Sequence, residues 1–234
     1  MLGIIVALAI SWLLLFLIEK KNILSLGFLP IAKRLKQFFI GFLITAILCA
    51  IVQYSESLLK SSTWVLNEKI TSQIILKAFW WDLKSVLTEE LIFRGAILYI
   101  LIQKIGSNKG ILISAIAFGI YHWFSFGVLG NIVAMILVFL GTGLMGYAWA
   151  WAFAKTKSIM LPLGFHLGWN FIHNTIFSKG PLGELVLTSQ GGNVLSDWTS
   201  LLNFTLGLIL VPILLLTYVR YFVKEETEGT IITE

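Results

Sequence analysis

Long apolar runs alternate with short polar clusters along the chain. The runs cover residues 2–18, 38–53, 110–126, 131–154, 159–177 and 201–222. A hydrocarbon core roughly 30 Å thick needs about 20 apolar residues in a helix, so each run is a predicted span. The first lacks a basic flank before it and a small-residue cleavage site after it, which predicts a retained span, not a signal peptide. Residues 71–104 break the pattern, because Lys77, Asp82, Lys84 and Thr88 precede an apolar stretch that starts at Leu91. As one helix this segment would extend about 51 Å, too long for one perpendicular crossing. An amphipathic first half leading into a true span would account for it. The expected fold is all-α: a polytopic membrane helical bundle of seven crossings, or eight helices if this segment breaks, around a polar intramembrane cavity. One integral membrane domain spans residues 1–234. The loop 178–199 carries Pro181, Gly191 and Gly192 and is expected to be an exposed connector. The Glu-rich tail after Lys224 is expected to be short and solvated.

Composition agrees with this class. The 234 residues are 58% hydrophobic and 12% charged, where a soluble domain has about 25% charged residues. That excludes a soluble globular domain and a disordered chain. The net charge of +5 marks loops, not a nucleic-acid partner. With the N-terminus outside, eleven basic residues fall in inside loops: Lys20, Lys21, Lys33, Arg34, Lys36, Lys104, Lys109, Lys155, Lys157, Arg220 and Lys224. Only Lys60, Lys69 and Lys179 fall outside. This bias predicts a multi-pass cell-membrane protein with a cytoplasmic C-terminus. Cys49 is the single cysteine, so no internal disulfide is available, and its apolar neighbours predict a buried small hydrophobe.

The informative residues are polar groups inside apolar runs. Glu89, Glu90 and Arg94 form one set, His122 a second, and His166, Asn170 and His173 a third. An ionised side chain at a span centre costs about 2.5–3.5 kcal/mol on insertion scales, so such groups face the bundle interior and need partners. Counted from their basic flanks, Glu89, His122 and Asn170 lie about 20–22 Å along their helices and His166 about 14 Å, so three segments bring polar groups to a similar depth. Glu90 and Arg94 are i,i+4 and can pair, while Glu89 points about 100° away and is left for chemistry. His166 and Asn170 share a face. Gly164 and Gly168 form a G-x-x-x-G that admits a neighbouring helix closely and would hold His166 near another polar helix. His173 is expected to be structural, Lys77, Asp82 and Lys84 to form a solvated face, and the tryptophans to serve the interface or packing. Singly, each polar residue has a structural explanation; their convergence favours a site.

Glu89-Glu90-x-x-x-Arg94, Phe118-x-x-x-His122 and His166-x-x-x-Asn170, in this order on separate spans, resemble the CAAX protease and bacteriocin-processing (CPBP) family, which includes the type II CAAX prenyl endopeptidases. The resemblance covers about residues 80–177; the spans 2–18, 38–53 and 201–222 carry no signature. It implies an intramembrane endopeptidase in which Glu89 and His122 activate a water. His166 and Asn170 would stabilise the oxyanion, and Glu90 and Arg94 would support the site. Some relatives have a polar residue four places after the second-motif histidine; here it is Phe126.

Peptide hydrolysis needs a base for water and donors aimed at the developing oxyanion. No Ser or Cys with a matching triad occurs in these spans, which favours direct water attack. Two His and one or two carboxylates could also complete a zinc site, but no H-E-x-x-H helix is present. A metal-free glutamate mechanism is therefore expected, with zinc as the alternative cofactor. The expected partners are the lipid bilayer and a peptide or lipid-modified protein substrate. No motif specifies an oligomeric state. The competing functions are a proton-coupled transporter, disfavoured by the absence of inverted repeats, and a non-catalytic bacteriocin-immunity or scaffold protein using the same cavity.

Overall fold

The computed structural model describes residues 2–226. It is an all-α helical bundle. Helix α1 (Leu2–Leu14) continues through a π-helical turn (Leu15–Glu19), and α2 is Ile31–Lys60. Next come α3 (Ser72–Phe93), α4 (Ala96–Ile105), α5 (Ser107–Ser125) and α6 (Ile132–Thr156). Helix α7 (Met160–Asn170) runs into a π-helical segment (Phe171–Ile176), and α8 (Asp197–Thr205) joins α9 (Val211–Tyr221) through a third (Leu206–Leu210). By length and composition, four helical stretches can cross a membrane: Leu2–Glu19, Ile31–Lys60, Ile132–Thr156 and Asp197–Tyr221.

The mixed segment breaks in two, as the eight-helix alternative anticipates, and the break falls at Arg94–Gly95. A Cβ on Gly95 would lie 2.1 Å from the Leu91 carbonyl oxygen, so only glycine allows this close approach. The break interrupts the helical hydrogen bonds, and Ser114 Oγ of α5 donates to the Phe93 carbonyl at 2.8 Å. Residues 63–66 and 187–190 pair with each other. They form β1 (Thr63–Leu66) and β2 (Leu187–Gln190), an antiparallel ribbon with Thr63 opposite Gln190, so the connector is not loop throughout.

Helix α2 shows how a chain so rich in apolar residues packs. Gly41, Thr45, Cys49, Gln53 and Ser57, four apart, are buried, whereas Phe39, Leu43, Ile47 and Ile51 are exposed. Small and polar residues turn inward and large apolar ones outward, the arrangement expected when the surroundings are lipid. Cys49 is buried as expected. The most extensive helix contact is between α2 and α7. A Cβ on Gly164 would sit 2.1 Å from the Phe38 carbonyl oxygen and one on Gly168 2.2 Å from that of Phe42. The G-x-x-x-G does admit a close neighbour. That neighbour is α2, presenting Phe38 and Phe42, and not a polar helix, because the glycines lie on a different face of α7 from the one His166 turns to α3.

The tail also departs from expectation. Glu226 is not simply solvated: Oε2 pairs with Lys33 at 3.0 Å and with buried Arg34 at 3.1 Å, and Gln37 donates to Oε1 at 3.0 Å. The rest of that tail, residues 227–234, lies outside the described residues.

Candidate active site

Helices α3 and α7 meet through their ionisable side chains. Glu90 and Arg94 lie one turn apart on the same face and are fully buried, with Arg94 NH1 3.2 Å from Glu90 Oε1. The same Oε1 is 2.9 Å from His166 Nδ1. The other imidazole nitrogen, Nε2, is 3.8 Å from Glu89 Oε2. His166 thus stands between two adjacent carboxylates, bonded to one and short of a hydrogen bond to the other. Glu89 Oε2 and Glu90 Oε2 are buried and make no hydrogen bond among the described residues. Glu89 is the more accessible acid, its side chain 16% exposed.

Arg94 is a buried cation held by charge and ring faces. Its guanidinium nitrogens make no hydrogen bond among the described residues, but its carbon lies 4.0 Å from the Phe118 ring centre and 5.0 Å from that of Trp149. Together with Glu90, these π-faces compensate the charge in a medium that solvates it poorly. Space for the stack comes from Gly146, where a Cβ would press 2.9 Å from Phe118 and 3.2 Å from Arg94 NH2.

His122 comes from α5 on the other side of Phe118. The Phe118 ring centre is 4.4 Å from that of His122 and 5.9 Å from that of His166. His122 Nδ1 is 2.8 Å from the Phe118 carbonyl oxygen. A carbonyl only accepts, so Nδ1 carries the proton, and in the neutral ring the Nε2 lone pair is available. Trp149 of α6 stacks on His166 at 4.3 Å with 24° between planes. Four helices therefore fix one imidazole and one guanidinium.

The structure joins Glu89, Glu90, Arg94 and His166 directly and sets His122 against the same phenyl ring. Asn170 ends α7 one turn beyond His166, half-buried, and is not bonded to either glutamate among the described residues. His173 turns to Asn174, with Nδ1 3.1 Å from Oδ1. Asp82 overturns its expectation as a solvated face. It is fully buried, and takes Asn174 Nδ2 at 2.7 Å on Oδ1 and Thr175 Oγ1 at 3.0 Å on Oδ2. Side chains of the π-helical segment replace the hydration that burial takes from Asp82. Asp82 precedes Glu89 by two turns on one face of α3, the only sequence signal for this second link to α7. Trp149, one of the tryptophans expected at the interface or in packing, stands against His166 and Arg94.

The donor set does not fit zinc. Among the described residues no group of three or more His, Cys, Asp or Glu side chains is placed to hold a metal ion. Glu90 occupies Nδ1 of His166, and among the described residues no third donor joins Glu89 and Nε2.

The family model described as type II CAAX prenyl endopeptidase Rce1-like matches residues 71–172, which span all three motifs. This match supports assignment of the chain to the CAAX protease family, and with it a CAAX-type protease in general terms; with the apolar helices it marks a membrane protein. No curated protein and no solved structure matches the chain.

Proposed function

We propose that this protein is an intramembrane endopeptidase that hydrolyses peptide bonds with a water activated by Glu89. The observation that carries the reading is the bridge from Glu90 through His166 to Glu89. Beside Arg94, the Glu90 carboxylate accepts the Nδ1–H of His166, which turns the Nε2 lone pair toward Glu89. A water hydrogen-bonded to both groups suits the 3.8 Å separation. Its oxygen attacks the scissile carbonyl while Glu89 takes the proton. The C–N bond then breaks, and Glu89 returns the proton to the leaving amine. His122, through its free Nε2, holds the water from the side of Phe118. Asn170 donates its amide protons to the oxyanion. The chain crosses the cell membrane several times, with the N-terminus outside and the C-terminus in the cytoplasm. Its substrate is a peptide or a lipid-modified protein: a prenylated CAAX protein in a cell that prenylates, otherwise a leader peptide, signalling peptide or bacteriocin.

The test is proteome-wide peptide profiling of membranes holding the wild-type protein or Glu89→Ala. New termini found only with the wild type support the reading. Identical termini in both samples reject it.

A further inference from the structure

The junction of α3 and α7 repeats one arrangement twice. In the first, Glu90 Oε1 meets His166 Nδ1 at 2.9 Å and the Trp149 indole stacks on that imidazole. Two turns away, back along α3 and onward into the π-helical segment, Asp82 and His173 form the second with one amide between them. Asn174 Nδ2 donates to Asp82 Oδ1 at 2.7 Å, and Asn174 Oδ1 lies 3.1 Å from His173 Nδ1. Trp169 stacks on this imidazole, with 14° between planes and 6.4 Å between ring centres. The proposed chemistry uses the first arrangement alone.

These bonds fix where the second imidazole carries its proton. Asn174 turns Nδ2 to the carboxylate, so Oδ1 is left for His173 and can only accept. Nδ1 therefore carries the proton, and in the neutral ring the Nε2 lone pair is available. The amide is held in place. Gly180 packs against it, where a Cβ would lie 2.6 Å from Asn174, and the Lys179 N–H donates to the His173 carbonyl at 3.0 Å. His173 is half-buried, and its Nε2 makes no hydrogen bond among the described residues. Packing on Trp169 needs only a flat ring. A chain of bonds from Asp82 that ends in a free, aligned lone pair points to a ligand that donates a hydrogen.

We propose that His173 is a substrate-binding residue whose Nε2 accepts a main-chain N–H of the peptide, about three residues from the scissile bond. The inference rests on the peptidase reading. His173 follows His166 by two turns, about 10 Å along the helix, and an extended peptide covers that distance in about three residues. An acceptor for a main-chain N–H holds the peptide in register whatever its side chains are.

The test compares the wild type with His173→Phe, which keeps a flat ring on Trp169 and removes the lone pair. Both full-length proteins, in detergent micelles, are given a fluorogenic peptide built on a terminus found by the membrane profiling. The variant should raise KM roughly three- to tenfold and leave kcat within about twofold, the pattern of a contact made equally in the ground and transition states. The same peptide, N-methylated at one main-chain nitrogen at a time on both sides of the scissile bond, gives a readout that packing alone does not move. The wild type should lose affinity on methylation of one nitrogen about three residues from the cleaved bond, and His173→Phe should show no further loss at that nitrogen. An unchanged KM in the variant, or the same response to N-methylation in both proteins, would overturn this inference alone. So would a wild type indifferent to N-methylation at that distance, a result that does not depend on the variant folding. A wild type that cleaves no peptide would overturn the peptidase reading and this inference with it.

Discussion

Gly164→Ala separates packing from propensity in this bundle. Alanine favours a helix over glycine by about 1 kcal/mol, so helix propensity alone predicts stabilisation. The packing predicts the opposite. The new Cβ would sit 2.1 Å from the Phe38 carbonyl oxygen, 2.9 Å from its carbon and 3.0 Å from the Phe42 nitrogen. All three are backbone atoms of α2, so no side-chain rotation relieves the clash, and α2 and α7 must part by about 1 Å to regain normal contact. Overpacking of this kind costs about 1–3 kcal/mol. A 2.1 Å contact with backbone puts the cost in the upper part of that range, about 2–3 kcal/mol, so the net expectation is destabilisation by about 1–2 kcal/mol after the propensity gain. His166 lies about 200° round α7 from Gly164, so the parting would press α7 toward α3 and disturb the 2.9 Å Glu90–His166 contact, and cleavage should fall as well. Reversible unfolding in mixed detergent micelles measures the first effect and peptide cleavage the second. Gly3→Ala, at a position with nothing within 4 Å of the added carbon, is the control and should be neutral or stabilising. Gly164→Ala equal to or more stable than the wild type would refute the argument from close helix contact.

The two adjacent glutamates should behave differently in the same unfolding assay. Glu90→Ala strands buried Arg94 and should cost about 3–5 kcal/mol, whereas Glu89→Ala removes a partly exposed acid and should unfold close to the wild type while losing cleavage. Asp82→Ala leaves the Asn174 and Thr175 donors unpaired and should lower stability by about 1–3 kcal/mol; an unchanged unfolding curve would show that the second α3–α7 link carries no weight. Strong chelator should leave cleavage intact, and purified protein should contain far less than one zinc per chain; activity lost to chelator and restored by zinc would contradict the glutamate assignment.

The helices were legible because lipid demands continuous apolar length: four of the six clear runs coincide with helical stretches long and apolar enough to cross a membrane, while the runs 110–126 and 159–177 fall on the shorter α5 and α7. The Arg94–Gly95 break was harder to read. No proline marks it, and the need for glycine appears only when the Leu91 carbonyl is seen beside the missing Cβ. Helical spacing gave the Glu90–Arg94 pair correctly, since that contact is local. It left Glu89 without a partner and gave Glu90 only one. A carboxylate serves several neighbours, and the second neighbour, His166, lies 76 residues away. The Asp82 error has the same root. Lys77 and Lys84 make its surroundings look solvated, while its real partners, Asn174 and Thr175, come from a segment whose π-helical winding has no clear sequence mark. The glycine pair on α7 announced close contact without naming α2, because the carbonyls it accommodates belong to backbone and leave no residue signature.

The claim on which the account rests is that the α3 carboxylates and the α7 imidazole act as one unit. A double-mutant cycle on kcat/KM for peptide cleavage, using Glu90→Gln, His166→Gln and the pair together, measures this directly. If His166 works through its 2.9 Å contact with Glu90, the double variant should be no slower than the slower single variant. Losses that multiply, each substitution acting as though the other were absent, would contradict the shared site.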